Sequence, residues 1–319
     1  MSDHQENRRA GRGARLDLTS RRALMPSGLG LVALAALLWS TVGIASRVLF
    51  DLSALDPLTV GAWRLALAAP LVGLLALRLP GTPLDRRDLR ALLLLGLAQA
   101  AYQGLYFGAV ARVGVALATL LALCSAPVLV ALLARLVLKE QLSRTTWIAV
   151  AVAVVGAALL VGFPGPLPAG GGTVAVGLAM AGGSGLSYAL FTLASRHLAP
   201  RHHPARLVAL GFGAGAVVLA TVATGVAVAG GGTILPETPA AWGVVLYMGV
   251  VPTALAYVVF LWGMRRASAT GSAVVVLLEP LSATLLAWAI FGERLGPLGA
   301  VGGGLLLAAV ALLALRRGR

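Results

Sequence analysis

The sequence predicts an all-α membrane protein, with ten transmembrane helices arranged as two inverted five-helix repeats. Three observations predict it. Hydrophobic residues make up 59% of the 319 residues and charged residues 11%, against roughly 45–50% and about 25% in a soluble protein. The apolar residues are gathered in ten blocks of about 20, the helix length that crosses a hydrocarbon core. Landmarks of the first half of the chain also recur in the second half at a nearly constant offset. A soluble enzyme, a disordered chain and a secreted disulfide scaffold are excluded together, because so few polar residues cannot cover a soluble surface of this size.

Residues 1–27 form a polar tail rich in arginine (Arg8, Arg9, Arg12, Arg15, Arg21 and Arg22). The run Ser20-Arg21-Arg22-Ala23-Leu24 has the look of a twin-arginine export signal, but no hydrophilic domain follows it, and the first apolar block is too long for a cleavable signal. The blocks lie at 28–50, 57–77, 91–111, 114–137, 145–163, 173–195, 206–229, 241–263, 268–291 and 296–315. Repeat one covers 28–163 and repeat two 173–315.

The chain carries 25 basic and 11 acidic residues, a net charge of +14. Such an excess can mark a nucleic-acid binder, but here the charges sit in short segments between apolar blocks. With the N-terminus in the cytoplasm, 21 of the 25 fall on the cytoplasmic side, three (Arg47, Arg112, Arg294) at outer ends, and Arg64 inside a span. That asymmetry in short loops is the positive-inside pattern. It places both termini in the cytoplasm, in a multi-pass protein of the cytoplasmic membrane, and argues against a nucleic-acid partner. The one cysteine, Cys124, lies in an apolar block and can form no internal disulfide.

Internal comparison supplies the repeat. Ile44-Ala45-Ser46-Arg47-Val48-Leu49 is echoed by Leu193-Ala194-Ser195-Arg196-His197-Leu198, an offset of 149, and Asp56-Pro57 by His203-Pro204, an offset of 147. Pro127 precedes Glu140-Gln141-Leu142 by 13 residues, as Pro280 precedes Glu293-Arg294-Leu295. A unit of five spans must insert its second copy upside down. Inverted repeats are characteristic of secondary transporters, in which two halves rock about a midplane site.

These motifs resemble the EamA-type members of the drug/metabolite transporter superfamily. The residues that carry the likeness are Trp63-Arg64, Ser125-Ala126-Pro127 with Glu140-Gln141-Leu142, and Leu278-Glu279-Pro280 with Gly292-Glu293-Arg294-Leu295. The resemblance spans 28–315. It implies a ten-helix carrier of the cytoplasmic membrane that exports or exchanges small metabolites, amino-acid-like solutes first, without ATP hydrolysis. One feature departs from the pattern: Lys139 stands before Glu140 where the family usually has glycine.

Polar side chains inside spans are costly and should face the bundle interior or water. Glu279, about halfway along its block, is a candidate proton carrier or ligand for a substrate amine. Arg64 is the lone cation well inside a span and could hold a substrate carboxylate, pair with Glu279, or reach the interface along its stem. Gln99, Tyr102, Gln103 and Tyr106 fall at i, i+3, i+4 and i+7, one face of a helix. Ser184, Ser187, Tyr188 and Phe191 repeat that spacing, and Trp39 and Tyr257 lie near mid-depth. The substrate-binding candidates are therefore Trp39, Arg64, Gln99, Tyr102, Gln103, Tyr106, Tyr188, Tyr257 and Glu279. The alternative for each is a hydrogen bond between helices, worth about 1 kcal/mol. Pro70, Pro127, Pro252 and Pro280 permit bends. Gly104–Gly108, Gly211–Gly215 and Gly299–Gly303 have the spacing for close helix contact, the last as a candidate homodimer face.

No Gly-Lys-Ser/Thr phosphate loop, His-Glu-x-x-His zinc motif or Gly-x-Ser-x-Gly nucleophile elbow occurs. The reading calls for a small-molecule substrate, a lipid environment and no cofactor, metal or catalytic residue. Efflux of toxic lipophilic cations and a non-transporting membrane receptor are the alternatives.

Overall fold

The computed structural model describes residues 28–79, 82–162, 171–230, 232–292 and 296–315. The basic tail, the terminal Arg316, Arg317 and Arg319, and the Glu293-Arg294-Leu295 motif lie outside the described residues. Among those described there is no strand, and ten helices are long and apolar enough to cross a membrane. They are α1 (Gly28–Leu52), α2 (Pro57–Ala76), α3 (Arg86–Gly114), α4 (Leu117–Val137), α5 (Arg144–Val161), α6 (Gly171–Leu198), α7 (Pro204–Gly230), α8 (Pro239–Met264), α9 (Ala269–Ile290) and α10 (Pro297–Leu315). The protein is thus a multi-pass, all-helical membrane protein, as its composition predicts.

Polar caps mark where spans begin. Asp56 accepts from the Leu58 amide at 2.8 Å ahead of Pro57 at the first position of α2. Asp85 and Asp88 form a reciprocal capping box on α3, and Ser143, Thr238 and Ser268 cap α5, α8 and α9. Each satisfies an amide that has no partner within its own helix. Between α3 and α4 the chain turns at a single residue, Gly114, whose φ of +80° suits glycine.

The two repeats interlock through equivalent partners. Helix α2 packs on its counterpart α7, and α5 on its counterpart α10; α6 lies against α3 and α4, while α1 lies against α8 and α9. Glycines allow the closest crossings. A Cβ added to Gly302 of α10 would lie 2.6 Å from the Gly156 carbonyl oxygen of α5, and one on Gly28 would lie 2.8 Å from that of Gly263. Gly211 and Gly215 of α7 straddle Gly96 of α3 in the same way. At the Gly299–Gly303 stripe, Gly303 faces Leu281 of α9, and Gly299, Gly302 and Gly303 are all buried within the chain.

Three spans are broken near mid-depth. Helix α1 has a turn at Ser40, where Ser40 and Thr41 hydroxyls donate to the Leu37 and Leu38 carbonyls at 2.7 and 2.8 Å. Such back-bonding bends helices. Helix α8 widens into a π-turn over Val250–Leu255 around Pro252, which has no amide hydrogen to give. Helix α9 is interrupted at Leu277, just before Glu279-Pro280.

Loops on the same face of the bundle are tied to one another. On the face where α1 starts and α10 ends, here the basic face, Arg201 bridges Asp88 at 2.5 Å and Asp85 at 3.3 Å. The buried His202 lies 3.0 Å from Asp88 and 2.7 Å from Thr82, and Arg206 donates to the Thr82 carbonyl. These contacts staple the α2–α3 loop to the α6–α7 loop. On the opposite face Trp63 donates to the Ile234 carbonyl at 2.8 Å.

Candidate functional site

The breaks in α9 and the proline of α4 border one cavity between the repeats. Tyr102 of α3 and Ala126 and Pro127 of α4 line it from the first repeat; Tyr188 of α6 and Ala273, Leu277 and Glu279 of α9 line it from the second. The matched prolines explain the location. Each removes a backbone hydrogen bond in its helix, so two equivalent helices are weakest at the level where they meet.

The cavity measures ≈ 30 Å³. One water needs about 10–15 Å³, so it holds a water or two and no metabolite. Any solute of amino-acid size requires the helices around it to separate.

Glu279 is the one charged residue among the cavity's lining, and among the described residues it makes no hydrogen bond or ion pair. Tyr188 shares the lining, and its buried hydroxyl also lacks a hydrogen-bond partner. The Tyr102 and Tyr188 rings stand 5.8 Å apart, tilted by 57°. A bare carboxylate that shares a cavity with two tyrosines is suited to take a proton, or to hold a cation whose charge it balances.

Three of the nine candidates therefore come together at the cavity: Tyr102, Tyr188 and Glu279. The other six are placed elsewhere. Arg64 donates from Nε to the Thr253 hydroxyl at 3.1 Å, and that hydroxyl donates to the Met248 carbonyl at 2.7 Å, filling the acceptor exposed by the α8 π-turn. Among the described residues Arg64 forms no ion pair with Glu279. Gln99 donates to the Tyr257 hydroxyl at 2.7 Å. The rings of Trp39, Tyr257, Phe191, Phe212 and Phe260 form a packed cluster at the seam of the repeats, with centroids as close as 4.7 Å. Gln103 turns away toward α2, where its side-chain oxygen, without a hydrogen-bond partner, fills the space over Gly61. The Tyr106 hydroxyl bonds to that of Thr119 in α4 at 2.7 Å.

The α3 stripe therefore diverges. Four residues on one helical face span about 10 Å of helix, and in this bundle that length meets α8, the cavity, α2 and α4 in turn. Spacing identified the inward face, while the identity of each partner depended on the other helices. Pro127 and Leu277 were missing from the candidates because a cavity wall made of backbone breaks and apolar side chains has no polar signature.

A family model of the EamA-like transporter family matches residues 26–162 and again 175–315. The chain belongs to the EamA-like transporter family. The duplicated match is the two-repeat organisation seen in the packing. Among curated relatives, the uncharacterized transporter YwfM of Bacillus subtilis (strain 168) is 30% identical over 273 residues, covering 83% of this chain and 86% of its own. An uncharacterized transporter of Clostridium kluyveri is 25% identical over 282 residues, 85% of this chain and 88% of its own. One of Archaeoglobus fulgidus is 31% identical over 127 residues, 40% of this chain and 43% of that one. A crystal structure at 20% identity superimposes with a TM-score of 0.74, covering 90% of this chain and 97% of the other, a likeness of fold. Membership in this EamA family of the drug/metabolite transporter superfamily makes transport the general function of the chain.

Proposed function

We propose that this EamA-family protein is a secondary carrier that exports or exchanges small polar or amphipathic metabolites, amino-acid-like solutes first, by alternating access. Its setting is the cytoplasmic membrane, with the basic face and both chain ends in the cytoplasm; the 21-to-3 bias of basic residues supports that orientation. The substrate site is the space between the repeats, bounded by Pro127 and the Leu277–Pro280 break, which opens to one side at a time as the halves rock.

The observation that carries this reading is the unpartnered Glu279 carboxylate at the shared cavity. An acidic group inside a membrane is expensive to keep without a counter-charge. Function supplies one, either a proton drawn from the gradient or the amine of the solute. Arg64, tied to Thr253, sets the local field and the register of α2 against α8.

Efflux of lipophilic cations is the second reading, favoured by the two phenol rings at Glu279, which suit an organic cation. Purified protein in liposomes separates these carriers from a receptor. A panel of radiolabelled amino acids and organic cations should include at least one solute that enters with saturable kinetics and is chased out by its unlabelled form. Binding without flux across the whole panel would contradict the carrier reading.

A further inference from the structure

The Glu140 motif takes no part in the cavity. Its carboxylate, in the α4–α5 loop, accepts from the Ala269 amide at 2.8 Å, the Thr270 amide at 3.5 Å and the Thr270 hydroxyl at 3.2 Å. Ala269 and Thr270 open α9. Glu140 thus caps, from another helix pair, the helix that carries Glu279, with its negative charge at the positive end of the helix dipole.

The segment it holds has a particular place. Every residue of Ala269–Val276 is buried, and 269–272 lie between the cavity, which begins at Ala273, and the basic face. The equivalent first half of α4, at the opposite face, is packed less completely: Thr119, Leu120, Leu121 and Leu123 are only partly buried. Two copies of one unit are therefore unequal. The first half of α9, between the cavity and the basic face, is enclosed by protein on all sides, and its counterpart in α4 is not.

The latch is itself built into the chain ending at α4. Lys139 has φ +53°, and the Glu140 amide donates back to the Ala134 carbonyl at 3.1 Å, the reverse turn that ends a helix. This turn aims the Glu140 side chain at α9.

We infer that Glu140 is the latch of the basic-face gate: it pins the start of α9 under the cavity, and access from that face requires this cap to break. The inference rests on the alternating-access reading and adds to it a positioning residue that touches no solute. Removing the latch weakens the state closed toward the basic face and leaves the cavity lining intact.

The test measures from which side the cavity is reached. In a Cys124→Ser background, Ala273→Cys places one thiol in the cavity, and a membrane-impermeant maleimide is applied to right-side-out and inside-out vesicles. With Glu140 present, labelling is faster from the face opposite the basic one. Glu140→Ala lowers the ratio of opposite-face to basic-face labelling by roughly tenfold, the factor for losing one charge-assisted hydrogen bond. Glu140→Gln, which still accepts without the charge, lowers it less, and Thr270→Val shifts it in the same direction. A ratio unmoved in all three variants, even with less folded protein, overturns the latch. Solute counterflow by the protein with Glu140 in place reports separately on the carrier reading, so either idea can fail alone.

Discussion

Lys139 and Gly292 occupy the same left-handed backbone conformation, at φ +53° and +68°, one at the end of α4 and the other at the end of α9. They are 153 residues apart, the offset that also separates Pro127 from Pro280. The turn thus has the same hand in both repeats, although only one of them has glycine there. A left-handed conformation costs a side-chain-bearing residue roughly 1–2 kcal/mol, and glycine's own unfolded-state entropy returns about 0.5–1. Lys139→Gly should therefore stabilise the protein by up to about 1.5 kcal/mol, seen as a higher unfolding temperature in detergent. An unchanged or lower value would mean that Lys139 contributes contacts that outweigh the strain.

The α5–α10 crossing makes a sharper demand. Gly302→Ala puts a methyl group 2.6 Å from backbone atoms of Gly156 and Leu160, whereas Gly304 has nothing within 4 Å. Backbone cannot yield as a side chain can, so Gly302→Ala should cost about 1–3 kcal/mol, and Gly304→Ala should be close to neutral. Thermal unfolding of the pair checks this, and equal effects would contradict the packing.

Across the repeats, Tyr257→Phe removes the acceptor of the buried Gln99 amide. Leaving that donor unpaired should cost about 1–3 kcal/mol. Combining it with Gln99→Leu should recover part of the loss, since both polar groups then disappear together. Additive losses in the double mutant would show that the two side chains act independently.

His203 gives a pH dependence. Partial burial, and then the nearby charge of Arg265, hold its pKa below the usual histidine value, and its Nδ1 accepts from the Ala205 amide at the start of α7 at 3.3 Å. A histidine with a depressed pKa is kept neutral by folding. Its contribution is complete above the unfolded value of about 6.5 and is lost as pH falls through the lower folded value. The unfolding temperature should accordingly drop on acidification below about pH 6.5, and His203→Asn, which can cap without titrating, should flatten that part of the profile. An identical profile in the variant would assign the drop to another group.

Much of the fold was legible because the bilayer imposes it. Ten blocks and the charge bias led to ten spans, and the matched offset of Pro127 and Pro280 marked where two equivalent helices can bend. Glu279 stood out because a carboxylate in an apolar run has few reasons to be there. What stayed hidden depends on partners distant in sequence. The Asp88–Arg201–His202 staple joins loops more than 110 residues apart in the chain, and Glu140 reaches α9 across 129 residues. With 40 glycines in the chain, spacing could not single out Gly28, Gly96, Gly156, Gly263 and Gly302 as the ones at crossings. The Ser40 and Val250–Leu255 breaks share that character, since a hydroxyl or proline permits a bend and the packing decides whether one occurs. Trp39 and Tyr257 pack against other rings, and an aromatic residue near mid-depth does not announce in sequence which partner it meets.

The most direct test concerns Glu279. In liposomes holding a solute that the protein transports, a pH gradient should drive uptake by the unaltered protein, while Glu279→Gln should abolish that response and still exchange labelled for unlabelled solute at equal pH. A Glu279→Gln protein that responds fully to the gradient would contradict the account.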